Sequence, residues 1–470
     1  MTDTPTDMWR LSAAELTLAY ARHRLSPVDV VKELLARLDV LDSHLHAFLA
    51  VDPDGALSAA RTAERAWRDA GRRPPLLCGV PVTVKDTIEV EGMPTTYGSL
   101  AFAGRQAPDS EIARRLRAAG AVIVGKTNVS EFALSTYTMN RLTGPAANPW
   151  DLDRTAGGSS GGASAAVAAG LGPIALGTDS AGSIRLPAAY TGVLGVKPTA
   201  DVIPAMQQWR ASPTRSHNGV LTRTVEDAVL AMRALTSPVR SDLPGAHLRT
   251  AFVARKRIGV IGDPSVDPDP SGRAARLLAD AGADTVLASP PPTDTPPSEL
   301  TAGTWAFAGD HYQAAEGLTP GFWDKHAGDL TEYAYPIYEA GRRALAWQYR
   351  MMLDHVHRYA AALRDWFGAY DYVITPACAV APPQPTSAAD GGLGPRYPLL
   401  SMWNFAGNPA ISVPFGFGDD GLPVAVQVIG RPGDDAGTLS VAATLEQQHP
   451  WRDAWPDLAS RRVEVSGVMS

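Results

Sequence analysis

Three short stretches hold the side chains able to do chemistry. In GVPVTVKD, Lys85 closes an apolar run, and AGGSSGGASAAVAAG and GTDSAGSIRLP are two glycine-flanked turns carrying Ser159, Ser160, Ser180 and Ser183. A strand ending in lysine delivers its amine into the interior of a fold, where burial disfavours the ammonium and lowers its pKa by up to several units. A neutral amine is a general base, and beside a serine it makes the Ser-Lys variant of a catalytic triad, with no histidine required. The ordinary alternatives are a lysine at a solvated strand end or paired with Asp86, and serines that only cap helices or close loops.

Three readings fit the turns. In the first, serine caps the helix ASAAVAAG, Gly170 ends it, and GTDSAGS is a second turn. That leaves unexplained the four glycines around Ser159 and Ser160, because bare backbone at a helix N-terminus invites close approach, commonly by an anion or a developing oxyanion. In the second, residues 158–162 match the Gly-x-Ser-x-Gly nucleophile elbow, with Ser160 as nucleophile. The elbow should follow a strand directly, whereas the preceding NPWDLDRTA reads as polar loop. The third joins both turns to Lys85 in one relay and leaves open which serine attacks.

The elements that must position these groups read as an open α/β sheet covered on both faces. The first seventy residues look helical: LSAAELTLAYARH carries a capping box, Ser12 with Glu15, and Ser26 with Pro27 opens SPVDVVKELLARLDVLD. Seven β-branched runs follow: VPVTV (80–84), AVIVG (121–125), PIALG (173–177), RIGVIG (257–262), DYVIT (371–375), AISVP (410–414) and VAVQVIG (424–430). Helical patterns such as SEIARRLRAAG and TRTVEDAVLAMRAL alternate with them. The Pro-rich stretches 289–298 and 381–395 read as excursions within one domain, since strand and helix signals resume on both sides.

Composition narrows the class further. The 470 residues are 45% hydrophobic and 19% charged with net charge −7, typical of globular proteins and without the basic footprint of a nucleic-acid or anionic-membrane binder. MTDTPTDMW lacks the features of a secretory signal, and the most apolar stretch, AAVAAGLGPIALG, is shorter than the roughly 20 residues of a membrane helix, so a cytoplasmic location is expected. Cys78 and Cys378 form no Cys-x-x-Cys and the histidines no His-Glu-x-x-His, so no disulfide framework or metal is expected.

Lys85 in GVPVTVKD, GGSSGGASAAVAAG, GTDSAGSIRLPAAYTGVLGVKPT, LTRTVEDA and the late NFAGNPAISVPFGFGDDGLPVAVQVIGRP together resemble the amidase signature family, from about residue 26 to 451. The resemblance implies a single α/β/α domain, 1–470, around a large, mixed, mostly parallel sheet with helices on both faces. Within it lie an N-terminal helical segment (about 1–70), the signature core (about 75–235), a variable aromatic-rich region (about 300–370) and a C-terminal part (about 371–456). It implies that Ser183 is the nucleophile, Ser159 the bridging serine preceded by a cis peptide, and Lys85 the base. Backbone N–H groups of Ser180, Ala181, Gly182 and Ser183 would hold the oxyanion, and Ala133 would line the acyl pocket. Asp179 and Arg185 would support the loop, although Arg185 has the alternative of holding a substrate carboxylate, and Ser160 would hold the turn or the lysine.

The expected activity is cofactor-free hydrolysis of a small amide through an acyl-enzyme. Acyl transfer to an amine or hydroxylamine, the amidase subunit of a tRNA-dependent amidotransferase, and a non-catalytic binding module are the alternatives, and a homodimer is the assembly considered. Family members often read GTDTGGS where this chain has GTDSAGS. The amidotransferase branch usually carries Gln after Ser-Ile-Arg and then a Tyr-Gly-x-Val-Ser-Arg run, where this chain has Leu186 and then ADVIPAMQQWRASPTRSHNG. Residues 301–372 hold eight of thirteen tyrosines and four of eleven tryptophans. These are either the cores of long helices or, for some of Trp305, Trp323, Tyr335, Tyr338 and Trp347, a pocket cover that favours a neutral, partly apolar or aromatic amide.

Overall fold

Alternation along the strands sends apolar side chains to two opposite faces, and both are covered. In the strand Ile174–Asp179, Ile174 and Leu176 enter one large core, whereas Ala175 packs with Ala163, Val167, Ile184 and Ala188 on the other side. Tyr372 and Ile374 separate from Val373 in the same way. Helices Glu111–Ala118, Val225–Leu235, Pro270–Asp280 and Asp435–Gln448 cover the first face. Gly161–Ala168, Arg185–Thr191 and Ala346–Phe367 cover the second. The structure, a computed structural model, describes residues 7–69, 73–204, 215–236, 250–262, 269–291, 322–343, 345–378, 380–385 and 398–458.

The strands are β1 (Phe48–Val51), β2 (Pro81–Lys85), β3 (Val122–Thr127), β4 (Ala147–Asn148), β5 (Asp151–Thr155), β6 (Ile174–Asp179), β7 (Leu194–Lys197), β8 (His217–Thr222), β9 (Arg257–Val260), β10 (Asp284–Leu287), β11 (Tyr372–Pro376), β12 (Ala410–Phe417) and β13 (Pro423–Ile429). Eleven form one sheet in the order β1-β3-β2-β6-β8-β7-β12-β13-β11-β9-β10. The fold class is the expected mixed α/β sheet, but one detail differs. Among the described residues parallel pairing is confined to β3-β2-β6 and β11-β9-β10, and six of the ten pairings are antiparallel. Five of these come from a central block in which β8, β7, β12 and β13 run alternately up and down between the two parallel groups, and the sixth joins β1 to β3 at the sheet edge.

All seven β-branched runs lie on strands. Four further sheet strands, β1, β7, β8 and β10, come from segments too short or too polar to stand out, and NPWDLDRTA is not loop: it forms the small antiparallel ribbon β4-β5. At the N-terminus, Ser12 and Glu15 make the expected capping box and Ser26 caps the helix Pro27–Leu45 with Pro27 in its first turn.

Candidate active site

Lys85 is the last residue of β2, flanked by parallel β3 and β6. Because Val82 and Val84 enter the large core, alternation turns Lys85 to the opposite face, toward the helix Gly161–Ala168. There the side chain is wholly buried, with Nζ 2.8 Å from each of Ser159 Oγ, Ser160 Oγ and Thr178 Oγ1. It has no hydrogen-bonded carboxylate among the described residues. Asp86 is instead held by Lys126 and by Thr96, so the pairing of Lys85 with Asp86 is not made. Burial drives the Lys85 pKa well below the ordinary lysine value, and the charge of Asp179 opposes this only in part. A neutral amine here meets hydroxyls as both donor and acceptor.

The Gly158–Ser159 peptide is cis. Ser160 sits at the start of the helix Gly161–Ala168, and its N–H donates to Ser183 O at 3.2 Å, tying the two turns together. The glycines of GGSSGG are approached by protein rather than by an anion. A Cβ on Gly158 would lie 2.8 Å from backbone carbons of Thr136 and Tyr137, and one on Gly162 would overlap the backbone of Asn128 and Ala47. The helix ends, as expected, before Gly170, which has φ +72°. Ser160 Oγ is buried and shared between Lys85 and Thr178, which weighs against the elbow reading, although a strand, β5, does precede it.

The second turn leaves the carboxyl end of β6 at Asp179. The Asp179 carboxylate accepts from the N–H groups of Gly182 (2.8 Å) and Ile184 (3.1 Å), from Arg185 Nε and Nη2 (3.0 and 2.9 Å), and from Asn404 Nδ2 (2.8 Å). Burial alone would raise its pKa, but the Arg185 charge and these hydrogen bonds hold it far below the usual carboxylate range. Arg185 is also fully buried. Its remaining N–H groups go to Leu400 O, Gln427 Oε1 and Asn404 Oδ1, so all five are taken and none is left for a substrate carboxylate.

Ser180, Ala181 and Ser183 are half-buried, whereas Gly182 is buried with φ +112° against Leu400. The expectation that four N–H groups face an oxyanion is narrowed, because that of Gly182 is bound to Asp179. Those of Ser180, Ala181 and Ser183 have no acceptor among the described residues. The Lys85–Ser159 link is formed, but no hydrogen bond joins Ser159 Oγ to Ser183 Oγ among the described residues; such contacts often tighten only with substrate in place.

Ala133 is half-buried in a turn where Phe132 and Ala133 both adopt left-handed backbone, φ +52° and +58°. This turn leads directly into residues 135–137, which touch Gly158. Phe132, next to Ala133 in the chain, belongs to a buried apolar wall formed with Tyr97, Phe102, Leu134, Leu330, Tyr333 and Tyr338. Tyr333 fixes that wall, its hydroxyl accepting from Glu131 N and donating to Met139 O. Tyr335 and Trp347 are exposed, 39% and 58%, and lie outside that wall, while Trp305 and the side chain of Trp323 fall outside the described residues.

Sequence reasoning missed Thr178, Arg215, Asn404 and Gln427. Only Gln427, the one polar residue in PVAVQVI, and Asn404, set among apolar neighbours, carried a signal. Among the described residues no helix is long and apolar enough to cross a membrane, and no group of three His, Cys, Asp or Glu is placed to hold a metal.

A wide mixed sheet with a buried lysine on one strand end and paired serine turns on the next defines an amidase signature enzyme. Comparison with known proteins agrees: the Amidase family matches residues 29–439, and the chain belongs to it. AmiB2 of Mycobacterium tuberculosis, a protein named as an amidase, is 36% identical over 97% of this chain and 100% of its own length. A glutamyl-tRNA(Gln) amidotransferase subunit from Streptomyces avermitilis is 34% identical, covering 95% and 96%. Among solved structures, a bacterial aryl acylamidase superposes with TM-score 0.84 at 27% identity, covering 94% of this chain and 96% of the other. The protein is therefore an amidase acting on carbon–nitrogen bonds.

Proposed function

We propose that the protein hydrolyses small carboxylic amides through an acyl-enzyme on Ser183, with Ser159 and Lys85 passing the proton. The observation that carries this reading is the Lys85 amine, fully buried, without a hydrogen-bonded carboxylate among the described residues and 2.8 Å from Ser159 Oγ. Its lone pair takes the Ser159 proton as Ser159 takes that of Ser183. The Ser183 oxygen bonds to the amide carbon, and the C=O π pair moves onto oxygen, for which Ser180, Ala181 and Ser183 supply N–H donors that have no acceptor among the described residues. When that pair returns, the C–N bond breaks and the proton on Lys85 passes back through Ser159 to the leaving nitrogen. Water then repeats the sequence on the acyl-enzyme and releases the acid.

The saturated Arg185 and the apolar wall of Phe132 and Tyr338 favour a neutral amide with an apolar or aromatic acyl part. The likeness to an aryl acylamidase supports the same direction. The similarity to one component of an amidotransferase favours a second reading, a chain that works together with a partner enzyme. Leu186 and the segment after Thr199 weigh against it, and turnover of free anilides by the isolated chain would separate the two.

The deciding experiment is fluorophosphonate labelling followed by peptide mass spectrometry. The expected adduct is on Ser183, and it disappears in Lys85→Ala. An adduct on Ser160, or labelling that survives Lys85→Ala, overturns the assignment. Added hydroxylamine that accelerates product formation while hydrolysis stays slow would identify acyl transfer instead.

A further inference from the structure

In a trans peptide the C=O and the following N–H point in opposite directions, so a group that grips the carbonyl of one peptide aims the N–H of that same peptide. Each of the three free N–H groups in the Ser180–Ser183 turn has its carbonyl gripped from behind. Gly182 O accepts from Leu186 N at 2.7 Å, within the turn itself. The other two grips come from distant parts of the chain. Asp179 O accepts from Asn404 Nδ2 at 2.9 Å, and Ser180 O accepts from Arg215 Nη1 at 2.9 Å.

Both residues are buried, and they are linked. Asn404 Nδ2 also lies 3.2 Å from Arg215 O. The orientation of the Asn404 amide is fixed by the guanidinium of Arg185, which donates to Oδ1 at 2.7 Å and would repel an amino group there. Arg215 is held over the Phe405 ring, 5.8 Å from its centroid, one residue beyond Asn404.

We propose that Asn404 and Arg215 are positioning residues that aim the Ser180 and Ala181 N–H groups at the oxyanion by holding the opposite ends of their peptides. This rests on the acyl-enzyme reading above. Asp179 and Arg185 fix the path of the turn, Asn404 bonds both of them as well as the Asp179 carbonyl, and Arg215 acts on the Ser180–Ala181 peptide plane alone among these. Removing an oxyanion donor from comparable sites costs about 100- to 1000-fold in kcat. A donor left in place but mis-aimed should cost less, about 10- to 100-fold.

The test uses the full chain, a panel of p-nitroanilides and butanal, an aldehyde that bonds through its carbonyl carbon to Ser183 Oγ and places its oxygen where the oxyanion would sit. In Arg215→Met, kcat is expected to fall about 10- to 100-fold with KM changed by less than about threefold, and the inhibition constant of butanal to rise by the same factor as kcat falls. Arg215→Lys keeps one donor near Ser180 O and should lie between wild type and Met in both readouts. Asn404→Leu should give the same parallel loss. Wild-type kcat and wild-type butanal affinity in a folded Arg215→Met overturn the proposal. If that variant does not fold, wild-type butanal affinity in Arg215→Lys alongside lowered stability does the same. A wild-type protein that turns over no anilide and is not labelled on Ser183 would refute the acyl-enzyme reading instead, which keeps the two failures apart.

Discussion

Replacing Lys85 with methionine removes the base while keeping most of the space it fills, and the pH dependence of stability then reports whether the amine is neutral in the fold. Folded Lys85 is fully buried and its pKa is lowered, whereas in the unfolded chain a lysine titrates near about 10.4. Between these two values the unfolded chain binds one more proton than the folded one, so this group makes stability rise with pH, by about 1.4 kcal/mol per unit. Methionine has no such dependence. The stability of Lys85→Met relative to wild type should therefore be greatest at low pH and should shrink as pH rises, by up to about 1.4 kcal/mol per unit once the pH exceeds the folded pKa. Losing the three hydroxyl contacts adds an offset independent of pH, so the slope carries the answer. Guanidinium unfolding at pH 7, 8 and 9 measures it. A difference that stays flat across that window means the buried amine is charged in the fold, and the general-base argument fails with it.

Other outcomes follow from the same geometry. Activity on a neutral amide should climb toward alkaline pH as the Lys85 amine loses its proton; a kcat/KM profile falling between pH 6 and 9 would contradict a lysine base. Gly182→Ala should lower kcat by at least about 100-fold, because a side chain at φ +112° costs about 1 to 3 kcal/mol and its Cβ would sit 2.7 Å from Leu400 Cδ1, displacing the oxyanion turn. Steady-state kinetics with wild-type kcat in that variant would show that the turn does not need its present path.

What the sequence discloses about the site depends on how local the cause is. Lys85 could be placed because a charged residue ending an apolar strand is conspicuous, and the serine turns because glycine clusters are. The reason for those glycines was misread, since what comes close to Gly158 and Gly162 is the chain itself, from residues 136–137, 128 and 47, and such approaches follow from tertiary packing alone. Strands rich in β-branched residues were visible, whereas LGVK and HNGVLT become strands only because neighbours on both sides supply their hydrogen bonds. DLDRT was hidden by its charges and pairs on a separate ribbon where half-exposed polar side chains are tolerated. Arg215 was invisible as a site residue, and Asn404 was conspicuous only as a polar residue among apolar ones, because their roles depend on contacts with a turn more than thirty and more than two hundred positions earlier.

The dependence of the Asp179–Arg185 pair on Leu400, Asn404 and Gln427 has a consequence for how the enzyme comes into being. Lys85, Ser159 and Ser183 all emerge within the first 183 residues of synthesis, yet the groups that fix the turn carrying Ser183 emerge more than two hundred residues later. On the acyl-enzyme reading, a chain ending near residue 235 would hold Lys85, Ser159 and Ser183 but lack the Leu400, Asn404 and Gln427 groups to which Arg185 donates.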